Sequence, residues 1–156
     1  MQWALDYARR HGLRRTNGLE QIIHFFLTQS EPVTWTDICN APEIKDKVDP
    51  ATVFRILTRM EKINLLRRLG FHERSAYYIL PLPNEHHDYL MCTECGDIQL
   101  LDMSCPVHTF EKKVSENSGF KNIHHELEFY GICPSCQTEE VIERHSHHSC
   151  CGKNHK

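Results

Sequence analysis

Apolar residues recur at helical spacing near the start of the chain. Leu19, Ile22, Ile23 and Phe26 are spaced so that a helix would place them all on one face. Thr16 precedes them, and threonine is one of the residue types that cap helix N-termini. The pattern therefore predicts an amphipathic helix that begins directly after Thr16.

Two further helices are predicted in the next forty or so positions. Thr34 precedes a short helix, Trp35–Asn40, which Pro42 ends. Asp49 and Pro50 form the clearest start signal in the chain, because aspartate accepts hydrogen bonds from first-turn amides and proline fits the first helical position. The third helix is predicted to run from Pro50 to about Ile63.

A basic β-hairpin is predicted after the third helix. Leu65–Leu69 and Ala76–Leu80 form two strands around a turn at positions 70–73. Three helices followed by a basic hairpin are the layout of a winged-helix domain, in which the second helix of a helix-turn-helix enters the major groove and the hairpin approaches phosphates. Periodicity alone also fits an ordinary solvated helix, so the interpretation depends on the order of the elements. The residues expected to contact DNA are Thr52, Phe54, Arg55 and Arg59 on the helix and Arg67 and Arg68 on the hairpin.

Two CxxC pairs lie in the second half of the chain, Cys92 with Cys95 and Cys133 with Cys136. Four thiolates suit tetrahedral zinc, and two intervening residues allow both sulfurs of a pair to reach one ion from a tight turn. The long segment between the pairs needs a structure of its own. It is predicted to form a strand, a helix and a second strand, at Asp97–Leu101, Ser104–Asn117 and Asn122–Tyr130.

Histidines and a carboxylate cluster around the cysteine pairs and suggest a second metal site. Imidazole and carboxylate ligands suit zinc, iron(II) or manganese(II). The alternative is a polar hinge with ordinary surface histidines. Cys39 and Cys105 are expected to be small buried apolar residues. The candidate ligands of the second metal are His86, His87, Asp88, His108 and His125.

Charge and cysteine are distributed unequally between the two halves. Residues 1–80 contain 12 Lys and Arg against 9 Asp and Glu, whereas residues 81–156 contain 6 against 12. A change of sign between halves indicates two different roles. No apolar stretch is long enough to span a bilayer, and Met1–Ala4 does not resemble the start of a signal peptide, so a cytoplasmic protein without membrane association is expected. Thiols are reduced in the cytoplasm, which favours metal ligation over disulfides.

Three stretches together resemble the ferric-uptake-regulator family of metal-responsive transcriptional regulators. They are Ala51–Leu57, His86–Gly96 and Tyr130–Cys136. The resemblance implies a homodimer that binds a two-fold double-stranded DNA operator when it carries metal and usually represses transcription. It also implies structural zinc at the four cysteines and a metal site near His86, Asp88, His108 and His125. The family more often has Glu than His at the position of His108, and Tyr at the position of Phe54.

The sequence thus predicts an α+β chain with two domains. A winged-helix DNA-binding domain occupies residues 1–80, and the stiff Pro81–Asn84 segment is a hinge. A small α/β dimerisation domain with the four-cysteine zinc site occupies residues 85–138. A His/Cys-rich tail, 139–156, is expected to be disordered, either binding metal loosely or only solvated.

The expected function is metal-dependent repression of metal-uptake or oxidative-stress genes, without enzymatic activity. A zinc-dependent thiol redox protein is the alternative, and a metal-storage or delivery protein is another. Catalytic zinc needs an open position beside three protein ligands, and four paired cysteines would close the first site. Storage through the tail would not explain the winged-helix half.

Overall fold

The computed structural model describes residues 1–70, 76–83, 85, 87–101 and 103–145. The chain divides into two compact units, and the second begins at His87. The α+β fold expected from the sequence is confirmed. The first unit contains α1 (Gln2–Arg10), α2 (Asn17–Leu27), β1 (Val33–Thr34), α3 (Trp35–Asn40), α4 (Pro50–Lys62), β2 (Arg67–Leu69) and β3 (Tyr77–Ile79). The second contains β4 (Tyr89–Cys92), β5 (Ile98–Leu100), α5 (His108–Ser118), β6 (Glu128–Gly131), a 3₁₀ turn (Pro134–Cys136) and α6 (Glu139–His145).

The predicted N-caps are present on three helices of the first unit. Thr16 Oγ1 accepts from the amide of Leu19 over 3.2 Å, and Thr34 forms a capping box with Asp37. Asp49 Oδ1 accepts from the amide of Thr52 over 2.9 Å. These side chains satisfy first-turn amides that have no partner within the helix, so they set where each helix begins.

Helix α1 was not predicted from the sequence. Its buried face consists of Ala4, Leu5 and Ala8, and the two alanines give a weak hydrophobic signal. The Tyr7 hydroxyl donates to the carbonyl of Ile63 over 2.9 Å and so joins α1 to the end of α4.

The core of the first unit lies between α2, α3 and α4. Its fully buried side chains are aliphatic or thioether groups, with Val53, Leu57 and Met60 contributed by one face of α4. Other fully buried side chains come from α2, α3, the turn that follows α3 and β2, namely Ile22, Ile23, Ile38, Ile44 and Leu69. Because α4 buries this face, its opposite face is left to solvent.

The hairpin belongs to a three-stranded antiparallel sheet of order β1-β3-β2. The predicted strand Leu65–Leu69 starts two residues late, at Arg67. Asn64 adopts a left-handed φ of 57°, and the amide of Leu65 still donates to the Met60 carbonyl, so this stretch ends the helix before the ladder begins. Positions 71–73 of the turn predicted at 70–73 lie outside the described residues.

The sheet of the second unit has the order β5-β4-β6. Strands β4 and β5 are antiparallel, whereas β4 and β6 are parallel, with Tyr89 opposite Glu128 and Cys92 opposite Gly131. The strand predicted from Asn122 therefore begins only at Glu128, where β4 offers a partner.

Two further boundaries differ from the prediction. Helix α5 begins at His108 rather than Ser104, because Pro106 disfavours helical backbone at the residue before it. The first seven residues of the expected disordered tail form helix α6, Glu139–His145. Thr138 supports its start, since its carbonyl accepts from the amide of Ile142 and its hydroxyl from that of Val141. None of the helices in the described ranges is long and apolar enough to cross a membrane.

Candidate metal centres and nucleic-acid interface

The parallel pairing of β4 and β6 creates two clusters of metal-ligating side chains. Residues that follow the two strands meet at one end of the pair, and residues that precede them meet at the other. Cys92 and Cys95 thereby come beside Cys133 and Cys136. Four residues of extended chain separate the two ends, which corresponds to roughly 13 Å.

The first cluster consists of Cys92, Cys95, Cys133 and Cys136, whose sulfurs all lie within 4.8 Å of one another. Cys95 Sγ is 3.7 Å from Cys133 Sγ. The first pair is held by a turn in which Gly96, at φ 77°, donates to the Cys92 carbonyl over 3.0 Å. The second is held by the 3₁₀ turn, where the Cys136 amide donates to the Cys133 carbonyl over 2.9 Å. A four-sulfur set of this compactness fits tetrahedral zinc.

The electrostatics of these thiols also favour a cation among them. Burial raises the pKa of Cys92, but amides donating to its sulfur, including that of Cys133, outweigh burial and lower it to about 6. The neighbouring sulfurs of Cys133 and Cys95 raise the pKa of Cys136 to about 12. Four crowded sulfurs therefore cannot all ionise by themselves, whereas a divalent cation would stabilise all four thiolates.

The second cluster consists of Asp88, Cys105 and His125, whose ligand atoms also lie within 4.8 Å of one another. Cys105 Sγ is 3.0 Å from His125 Nε2, and Glu111 Oε2 is 3.3 Å from His125 Nδ1. Asp88 is 4% exposed and is the single buried charged residue among those described. A carboxylate, a thiol and an imidazole in this arrangement offer three ligands to one divalent metal.

The exposed face of α4 carries polar and aromatic side chains. Arg55 Nη2 donates to Thr52 Oγ1 over 2.8 Å, so the two side chains lie together near the start of the helix. Phe54 is 59% exposed on the same face. Arg59 is exposed one turn after Arg55. These four side chains line a surface groove that the loop before α2 completes with Arg14 and Thr16.

Comparison with known proteins gives the family of this chain. The model of the ferric uptake regulator family matches residues 10–130. The chain belongs to the ferric uptake regulator family. It is thus a metal-responsive transcriptional regulator, as the family resemblance implied.

Individual relatives match along most of their length. The ferric uptake regulation protein of Neisseria meningitidis serogroup A is 28% identical over 130 residues, which are 82% of this chain and 89% of that protein. The peroxide operon regulator of Bacillus subtilis is 28% identical over 139 residues, which are 88% and 93% of the two chains. The structure of the ferric uptake regulator from Francisella tularensis with iron has a TM-score of 0.60 at 26% identity and covers 80% of this chain and 95% of that one.

This ferric uptake regulator family member assembles its second cluster differently from the set expected from the sequence. The structure brings Asp88 and His125 together, and Cys105, which was expected to be a small buried apolar residue, is half-buried and lies with them. His108 is exposed at the first residue of α5, and neither it nor His87 belongs to a cluster among the described residues. His86 lies outside the described residues.

The signal that could have revealed Cys105 was its position. It follows β5, which runs antiparallel to β4, so the end of β5 lies beside the start of β4. The amide of Leu101 donates to the Asp88 carbonyl over 2.9 Å and holds the loop there. A search for metal ligands that considers only CxxC pairs does not find an isolated cysteine such as Cys105.

Proposed function

We propose that this chain is a metal-dependent transcriptional repressor that binds a two-fold DNA operator as a homodimer and controls metal-uptake or oxidative-stress genes. The main support is that the two clusters have different kinds of ligands. A closed set of four cysteines suits a permanent structural ion, whereas a mixed set containing a carboxylate and an imidazole suits an ion that exchanges.

Structural zinc is assigned to Cys92, Cys95, Cys133 and Cys136. Among the described residues, the buried apolar side chains of the second unit are only Tyr89, Met91 and Cys92. Such a small core contributes little hydrophobic stabilisation, and small domains of this kind commonly rely on a metal. The zinc would join the ends of β4 and β6 and thereby support the fold of this unit.

Regulation is assigned to a second divalent metal at Asp88 and His125, with His86 and His87 as its neighbours in sequence. Asp88 is the second residue of its unit, directly after the residues that join the two units. A metal bound at this position would restrain the chain at the junction. A two-fold operator requires two recognition helices at a set separation, so such a restraint would favour DNA binding.

DNA recognition is assigned to the exposed face of α4 and to the hairpin. Thr52, Arg55 and Arg59 can reach base edges or phosphates, and Phe54 offers an apolar contact for a thymine methyl group. Arg67 and Arg68 on β2 supply phosphate contacts that add affinity for any sequence.

The homodimer is supported by apolar side chains that the second unit leaves exposed. Leu90 and Phe129 lie opposite each other on β4 and β6 and are 37% and 45% exposed. Phe110 on α5 is 63% exposed. A second copy of the same unit would bury these side chains and enlarge a core that is small in one chain, as in obligate dimers.

The deciding experiment measures DNA binding by the full chain when it holds only its cysteine-bound zinc. Duplexes selected from a random library by metal-loaded protein serve as the probe. We expect weak binding before addition and tight binding after titration with zinc, iron(II) or manganese(II), with loss of the response in a His86→Ala/His87→Ala/His125→Ala variant.

A matched control is His24→Ala, because His24 is exposed on α2 in the first unit. Its titration should equal that of the unaltered protein. Full affinity before any metal is added, or an unchanged titration in the triple variant, would contradict regulation by a second metal.

A further inference from the structure

We infer that Cys105 is a ligand of the second metal and that its thiolate makes this regulator respond to zinc in preference to iron(II) and manganese(II). The inference rests on the proposed function, because it names the metal of the proposed regulatory site. It concerns a residue for which sequence analysis predicted only an apolar role.

The backbone places Cys105 at the site from the side opposite His125. Strand β4 lies between β5 and β6, so the loop after β5 and the segment before β6 reach the start of β4 from its two edges. The Leu101 amide, bonded to the Asp88 carbonyl, holds the first of these connections against β4. The second is held by the Tyr89 amide, which donates to the carbonyl of Leu127 over 3.3 Å.

The three ligand atoms already have a spacing suited to one small ion. In a tetrahedral zinc site with ordinary bond lengths, a sulfur and a nitrogen ligand lie roughly 3.5 Å apart. Cys105 Sγ and His125 Nε2 are 3.0 Å apart, and the Asp88 oxygen lies within 4.8 Å of both. Small side-chain rotations therefore suffice to bind a metal, and the thiol proton would pass to solvent on coordination. The fourth position is left to another donor or to water.

Glu111 would act as a positioning residue for His125 when a metal is bound at Nε2. Its Oε2 lies 3.3 Å from Nδ1 of His125. The other ring nitrogen, Nε2, is the one that faces Cys105. Metal-binding histidines commonly have a carboxylate at the second nitrogen, which fixes the proton there and leaves the first nitrogen for the metal. Both side chains are mostly shielded from solvent, which strengthens this orientation.

A thiolate changes which metal the site prefers. Carboxylate and water ligands suit manganese, whereas thiolate favours zinc, and zinc also exceeds manganese and iron(II) in its general affinity for nitrogen and sulfur sites. His108 is exposed and outside the cluster. The described cluster therefore offers a soft sulfur ligand beside one imidazole and one carboxylate.

Cobalt(II) titration tests the ligand directly, without any reading of DNA binding. Full-length protein is first loaded with one zinc at the four-cysteine site, and cobalt(II) is then added while released zinc is monitored. We expect a further cobalt with a near-ultraviolet sulfur-to-cobalt charge-transfer band. Cys105→Ser should abolish this band and weaken zinc binding about tenfold or more, and Glu111→Gln should weaken zinc binding about 10–100-fold while keeping the band.

Two control variants exclude the other thiols of the chain. Cys39→Ser removes a half-buried cysteine of the first unit, and Cys150→Ser/Cys151→Ser removes the cysteines near the end of the chain. Both should keep the band. A band that persists in Cys105→Ser, or that disappears in Cys150→Ser/Cys151→Ser, would overturn the assignment of Cys105.

Competition between zinc and manganese(II) tests the preference. The unaltered protein should take up zinc first, and Cys105→Asp should shift the preference towards manganese by more than about tenfold. An unchanged metal preference in Cys105→Asp would overturn the proposed selectivity for zinc.

The two proposals can fail separately. If the cobalt band depends on Cys105 but DNA binding does not change when the second metal is added, Cys105 is a metal ligand and the proposed regulation is wrong. If DNA binding responds to the second metal but the band persists in Cys105→Ser, the proposed regulation is supported and the assignment of Cys105 as a ligand is wrong.

Discussion

The amide of Cys133 donates a hydrogen bond to the Sγ atom of Cys92 over 3.3 Å, although 41 positions separate the two residues in the chain. This contact joins the backbone of the second cysteine turn to a side-chain sulfur of the first, in addition to any shared metal. It follows from the parallel pairing that sets Cys92 opposite Gly131, two residues before Cys133. Loss of the metal should therefore loosen both turns together.

Removal of the four thiols should abolish one tightly bound zinc and destabilise the second unit. Structural zinc contributes about 10–16 kcal/mol of binding free energy in small zinc-finger peptides, so the quadruple Cys→Ser variant should lose much of its stability. Elemental analysis and thermal melting measure the two effects. Cys39→Ser is the control and should keep its zinc. A quadruple variant with unchanged zinc content and melting temperature would rule out the structural site.

Arg55→Ala should weaken operator binding by about 1–3 kcal/mol and relax the choice of base at one position, if Arg55 reads a guanine edge. The hydrogen bond from Arg55 to Thr52 positions the guanidinium near the start of α4, where recognition helices contact bases. Binding to a panel of single-base operator variants measures both changes. If Arg55→Ala does not change operator affinity, α4 does not bind in the major groove.

Arg68→Ala provides the matched contrast, since Arg68 is exposed on β2 rather than on the helix. It should weaken binding to all DNA sequences to a similar extent. It should also reduce the slope of log affinity against log salt concentration by about one. Affinity measured at several salt concentrations gives this slope. A sequence-specific loss in Arg68→Ala would mean that the hairpin reads bases.

Asp49→Ala should destabilise the first unit at neutral pH and have little effect in acid. Hydrogen bonds from Thr52 hold the pKa of Asp49 below its ordinary value. A group whose pKa is lowered by folding contributes stability above its unfolded pKa, near 3.8, and loses that contribution as the pH falls through the lower folded value. Urea midpoints of both proteins at pH 7 and in strong acid measure the difference. If the urea midpoints of the two proteins differ by the same amount at both pH values, the carboxylate charge has no role in the cap.

Leu90→Glu should convert the proposed dimer to a monomer. Leu90 lies beside Phe129 on the sheet, and a charge buried in an apolar interface is strongly unfavourable. Sedimentation analysis measures the change, and Leu90→Met is the control that keeps an apolar side chain. A dimer that tolerates Leu90→Glu would place the interface on another surface.

Much of the fold was predictable from local signals. Thr16, Thr34 and Asp49 are caps whose side chains bond to amides three residues later, so sequence and structure agree on where these helices begin. The elements that the sequence misplaced depend on distant partners. The strand expected from Asn122 starts at Glu128 because its ladder begins only where β4 begins.

By itself, the sequence determined the pairing of cysteines into two turns, because a CxxC spacing is a local property of the chain. It also determined the order of α2, α3 and α4 in the first unit, although not the presence of α1. Only the tertiary structure decided that Cys105 lies 3.0 Å from His125, twenty positions away, since that contact depends on the strand order β5-β4-β6. Local hydrogen bonds set helix starts, but the register between strands sets which side chains meet. The ligands of the second metal therefore became visible only when the strands were paired.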